Sequence, residues 1–77
     1  MAQALNDPLF NKAVAVAQNA AALSRKADFI VAVRVAQAMS LEQPRLVRLL
    51  ERAIEEFPSP KAERITTIVA RFAQTAE

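Results

Sequence analysis

The sequence predicts an all-α fold, a compact bundle of four short antiparallel helices in a single domain over residues 1–77. Apolar residues recur at three- and four-residue spacing in each long segment, and no segment keeps the two-residue period of a strand. Glycine is absent, and the four prolines suit helix starts or joints. Because the joints are short, neighbouring helices should run antiparallel. We expect helices over about 8–23, 25–39, 42–57 and 60–76.

The first helix should begin at Asp7, an N-cap residue, with Pro8 at the first helical position. Ser24 is the best candidate for its end, although no glycine or proline enforces a break there. The alternative is one continuous helix through both segments; we favour the break because serine caps helices well. The predicted inward stripe is Leu9, Ala13, Val16, Ala20 and Leu23, with Phe10, Val14, Ala17 and Ala21 beside it.

The second helix is apolar on almost every side, and its thin polar line holds Lys26, Arg34 and Gln37. Such a helix is normally buried all round. A chain of this size, however, buries only about 60% of the surface that its unfolded state exposes. We assign one of its stripes to the internal core: Phe29, Val33 and Ala36.

The other stripe of the second helix predicts a protein interface, formed by Val31, Val35 and Ala38 with Arg34 beside them. Leaving an exposed valine in water forgoes about 1.5 kcal/mol or more, which matters to a marginally stable fold. The alternative is that the helix lies diagonally between its neighbours and buries both stripes internally. We favour contact with a second chain, and a homodimer in particular.

The third and fourth helices have clearer starts. Ser40 to Gln43 matches a capping box before Pro44, and Ser59 with Pro60 forms a second cap. The predicted inward residues are Leu46, Leu49, Leu50, Ala53, Ile54 and Phe57 in the third helix, and Ile65, Ile68, Val69, Phe72, Ala73 and Ala76 in the fourth.

The composition argues against an enzyme. The chain has no Cys, His, Tyr or Trp, so a Ser–His or Cys–His pair cannot form, and without glycine there is no phosphate-binding glycine loop. Acidic residues of the third helix lie on its outer side, where pairs such as Arg48–Glu51 and Arg52–Glu55 would neutralise them. We therefore expect no cofactor, no metal and no small-molecule substrate.

A second functional hypothesis is a compact helix-turn-helix-like DNA-binding protein. Arg45, Arg48 and Arg52 crowd the N-terminal half of the third helix, and with Gln43 they would face the groove or the phosphates. The net charge of only +2 lends this little support. The simpler alternative is an outer face on which arginines and glutamates pair.

The first choice is thus a small protein–protein interaction module, such as an adaptor, an inhibitor or a small assembly component. Its partner would be a second copy or another protein, with nucleic acid as second choice. The N-terminal residues lack a basic and an apolar signal region, and no stretch reaches the ~20 apolar residues of a membrane span. Together with the absence of cysteine, this favours the cytoplasm.

Overall fold

The computed structural model describes residues 7–75 and confirms the all-α bundle. Its helices are α1 (Pro8–Ala22), α2 (Lys26–Met39), α3 (Pro44–Glu56) and α4 (Pro60–Thr75). Each helix packs against the next along the chain, and α4 packs back against α1, which closes the ring. The predicted bounds hold to within two residues, with α3 starting at Pro44 rather than 42; the predicted end of the fourth helix at 76 lies outside the described residues.

Two of the predicted caps are formed. The Asp7 carboxylate accepts a hydrogen bond from the backbone N–H of Leu9 at 2.8 Å, and the Ser59 hydroxyl accepts one from Lys61 N–H at 3.0 Å. Both caps precede a proline at the first helical position, where the missing N–H costs nothing. The local sequence therefore sets the starts of α1 and α4.

The predicted capping box at Ser40 is wrong. Ser40 ends α2, and its hydroxyl donates back to the carbonyl of Ala36 at 2.8 Å. The N-cap of α3 is Gln43, whose side chain makes no capping hydrogen bond. Ser40 is almost completely buried, so its hydroxyl needs a hydrogen-bond partner within the protein. It donates to the preceding turn of α2 and does not cap α3.

The break between α1 and α2 falls at Ser24, as predicted, but by a different mechanism. Ser24 has a φ of 56°, in the left-handed region that glycine usually occupies. Its N–H donates to the carbonyl of Ala21 at 3.2 Å, and Arg25 N–H donates to Ala20 at 2.9 Å. This pair of bonds is the Schellman ending of a helix. Ser24 thus terminates α1, and Arg25 is the N-cap of α2 without a side-chain bond.

The core runs along the axis of the bundle and contains many small residues. Phe29 stacks on Phe57 with ring centroids 4.9 Å apart, which ties α2 to the turn between α3 and α4. Gln18 donates to the Thr67 hydroxyl at 2.8 Å and links α1 to α4. Half of the buried apolar residues in the described part of the chain are alanines: Ala13, Ala17, Ala20, Ala32, Ala36, Ala53, Ala62 and Ala73.

The predicted inward stripe of the first helix is wrong in part. Leu9, Val16 and Leu23 are exposed, whereas Phe10 and Val14 of the adjacent stripe are buried. The helix is rotated so that its largest apolar side chain, Phe10, lies in the core. In α4, the predicted residues Ile68 and Phe72 are likewise partly exposed at the edge of the bundle.

Candidate functional site: an apolar groove between α1 and α2

An open groove of about 570 Å³ runs between α1 and α2. Its floor is formed by the small side chains of Ala13, Ala20 and Ala32, which are buried. Because alanine projects little from a helix, these positions leave the space that larger side chains would fill. The walls consist of the apolar residues Leu9, Val16, Val31, Val35 and Met39, and the rim of Lys12, Asn19, Arg25 and Asp28.

Four large apolar side chains of the groove walls are exposed. Leu9 is 65% exposed, Val16 43%, Val31 63% and Val35 46%. They come from two helices and lie on one face, so they form one continuous patch rather than scattered positions. Contiguous apolar patches of this kind mark sites of interaction more often than isolated apolar residues do.

The predicted interface residues do not all share this patch. Val31 and Val35 line the groove, and Ala38 is exposed on the same outer side of α2. The stripe assigned to the internal core, Phe29, Val33 and Ala36, is fully buried. The alternative in which α2 buries both stripes within its own bundle is therefore wrong.

Arg34, the fourth predicted interface residue, faces α3 instead. Its guanidinium lies 2.7 Å from the carboxylate of Glu51 and also donates to Gln37 Oε1 at 2.8 Å. Gln37 is buried, and its amide donates to the Val47 carbonyl at 3.0 Å and to Glu51 at 3.3 Å. Within the polar line of α2, Arg34 and Gln37 thus form a contact between two helices of the bundle.

The hydrogen bonds from Gln37 and Arg34 hold the pKa of the Glu51 carboxyl below its usual value. The pair is partly solvated, with the Arg34 and Glu51 side chains about half exposed. A pair of this kind orients α2 against α3 more than it stabilises the fold, because solvent screens its attraction.

The predicted nucleic-acid contacts lie on another side of the molecule. Arg45, Arg48 and Arg52 are exposed on the outer face of α3, and Gln43 is partly buried at its N-terminus. Leu41, which a helix-turn-helix would pack beneath its turn, is 71% exposed. The turn between α2 and α3 therefore has no buried apolar contact from Leu41.

Among the described residues, no group of three or more His, Cys, Asp or Glu side chains is arranged so that it could hold a metal ion. No helix within residues 7–75 is long and apolar enough to span a membrane. Comparison of the chain with protein-family models, curated protein sequences and solved structures gave no match. The function must therefore be argued from this chain's own surface.

Sequence reasoning missed half of the groove. It assigned Leu9 and Val16 to the core, so that only the α2 side was recognised as a candidate surface. One signal was available: α1 carries two adjacent apolar stripes, and a helix at the edge of a small bundle seldom buries both. Of the two stripes, the one that lacks Phe10 is the better candidate for the exposed side of α1.

Proposed function

We propose that this chain is a small, non-enzymatic protein–protein interaction module that self-associates through the α1–α2 groove. The observation that carries the proposal is the continuous exposed apolar patch of Leu9, Val16, Val31 and Val35. Among the possible roles, an adaptor, an inhibitor and a small assembly component all need such a surface and no reactive group.

A second copy suits this surface because the surface has both projecting apolar side chains and a hollow that can accept them. Val31 and Val35 project from α2, and the alanine floor between the helices leaves room for projecting side chains of another α1–α2 pair. The rim carries both signs of charge, Lys12 and Arg25 with Asp28, so that two identical faces can meet without opposing only like charges.

The size of the apolar gain can be estimated from exposure. Fully burying one such side chain is worth about 1.5–3 kcal/mol, and the four wall residues are each roughly half exposed. Two copies would gain ~6–12 kcal/mol in apolar burial, before the entropic cost of association is subtracted. At the upper end of this gain and the lower end of the association cost, about 4 kcal/mol, ~8 kcal/mol remain, which corresponds to a dimer with a micromolar Kd that dissociates on dilution.

The non-enzymatic and cytoplasmic parts of the proposal depend on composition. Without histidine, cysteine or tyrosine, the chain lacks the side chains that most often act as catalytic bases and nucleophiles. The absence of cysteine agrees with a reducing compartment, and we accordingly propose the cytoplasm.

Light scattering after size exclusion, across a concentration series, tests the proposal. We expect a dimer for the unaltered chain and a monomer of unchanged helicity for Val31→Asp combined with Val35→Asp. Leu41→Asp is the matched control: Leu41 is also strongly exposed but lies outside the groove, so this variant should stay dimeric. A clean monomer at tens of micromolar, or an Asp double variant that remains dimeric, would overturn the proposal.

A further inference from the structure

The outer face of α3 carries three arginines in a row. Arg45, Arg48 and Arg52 follow one another at three- and four-residue spacing, so they share one face over about 10 Å of helix. All three are exposed. Arg45 lies in the first turn, where the positive end of the helix dipole adds to its charge.

The packing of α2 takes an acidic partner away from one of these arginines, Arg48. Glu51, which helix spacing would pair with Arg48, is instead held by Arg34 and Gln37 of α2. Within residues 7–75, no acidic side chain lies within ion-pair distance of Arg45, Arg48 or Arg52. The three guanidinium groups of this face therefore make none of the ion pairs that the sequence suggests, and their positive charges are unpaired.

An apolar hollow adjoins this positive face. Leu41, Pro44 and Val47 line it together with Arg48 and Glu51, so that Arg48 belongs to both features. Leu41 is the most exposed large apolar residue in the described part of the chain, at 71%. An occupant of the whole surface would need negative charges at regular spacing and one apolar side chain next to them.

We propose that this surface, defined as the arginine face plus the adjoining hollow, binds an acidic helical segment of a partner protein. Glutamates three and four residues apart on such a helix match the spacing of Arg45, Arg48 and Arg52, and an apolar residue beside them fills the hollow. A phosphate backbone would match the charge alone. It would leave Leu41 in water. The surface is separate from the α1–α2 groove, so the inference does not depend on self-association.

Fluorescence anisotropy with the full chain tests the inference. The probe is a short labelled helical peptide with glutamates at three- and four-residue spacing and a leucine pair beside them. We expect binding at low salt, weakened about tenfold or more by Arg45→Glu with Arg48→Glu, because two attractive contacts become repulsive. Leu41→Ser and a peptide with serines in place of the leucines should each weaken it by several-fold. Lys61→Glu with Arg64→Glu, two exposed sites on α4, changes the net charge by the same amount and should alter binding little.

Three results would overturn the inference. One is the absence of peptide binding at low salt. Another is equal weakening by Lys61→Glu with Arg64→Glu, which would mean that only overall charge matters. The third is duplex DNA binding more tightly than the peptide, with a steep salt dependence and the same loss in the arginine variants, which would assign the face to nucleic acid. Circular dichroism of each variant shows whether the bundle is intact.

Discussion

Replacing Ser24 with glycine should stabilise the protein. Ser24 is exposed, and its φ of 56° places its β-carbon close to the following carbonyl oxygen. Glycine has no β-carbon and adopts this conformation without that clash. The two backbone hydrogen bonds that end α1, from Ser24 and from Arg25, would be retained in the variant.

The expected magnitude is the difference between two effects. Relief of the left-handed conformation is worth about 1–2 kcal/mol. Glycine also makes the unfolded chain more flexible, which costs about 0.4–1 kcal/mol. The midpoints of these two ranges give a net gain of about 0.8 kcal/mol in the free energy of unfolding for Ser24→Gly, or a rise in Tm of roughly 3–6 °C for a domain of this size.

Urea denaturation followed by circular dichroism measures this gain, at one fixed protein concentration because self-association would also affect stability. Ser24→Ala is the matched control: alanine keeps the β-carbon, so it should leave the midpoint unchanged or lower it slightly. A glycine variant less stable than the serine protein would refute the reasoning. It would indicate that α1 and α2 continue through Ser24 as one helix, where glycine is unfavourable.

Three further outcomes follow from the structure. Leu50→Ala should lower the free energy of unfolding by about 2–5 kcal/mol in urea titrations because Leu50 is fully buried, whereas Leu41→Ala should change it by less than about 0.5 kcal/mol. Ser59→Ala should cost about 1 kcal/mol, measured in the same way, through loss of the α4 cap. Because the pKa of Glu51 is lowered in the folded state, its contribution is present above the unfolded value of about 4.3 and is lost as pH falls through the folded value. Acid titration of Glu51→Gln should therefore show a weaker decline in stability at low pH than the unaltered protein; equal declines would contradict the assignment.

The number, order and approximate ends of the helices could be predicted because local chemistry decides them. Asp7 with Pro8, and Ser59 with Pro60, need only a few neighbouring residues to start a helix, and the structure forms both caps. At Ser40 the same local pattern misled. Ser40 lies four residues after Ala36, so its hydroxyl can donate to the Ala36 carbonyl in the preceding turn. The burial of Ser40 at the end of α2 favours that hydrogen bond.

The rotation of α1 could not be predicted from spacing alone. Two adjacent stripes are both apolar, and alanines make them nearly equal in hydrophobicity. The choice depends on what the neighbouring helices accept, and they accept Phe10 while leaving Leu9 and Val16 outside. For α2, where the stripes differ in their larger residues, the division into a buried stripe and an exposed one could be predicted correctly.

The ion pair between α2 and α3 also could not be predicted from the sequence. Spacing along α3 pairs Glu51 with Arg48, but the bundle brings Arg34 of α2 to the same carboxylate at 2.7 Å. Contacts within a helix are fixed by sequence distance, whereas contacts between helices depend on their relative rotation. The positive face of α3 therefore emerges only once the packing is known.

The abundance of alanine in the core limits how this protein can change over time. At alanine positions such as Ala17 and Ala36, which have no exposed surface, truncation can remove only one methyl group, and any larger side chain would force the helices apart. The one substitution that adds no volume at these positions is glycine, and glycine weakens helices. The bundle should therefore accumulate substitutions mainly on its outside, and its interior should stay nearly fixed among descendants that keep the same fold.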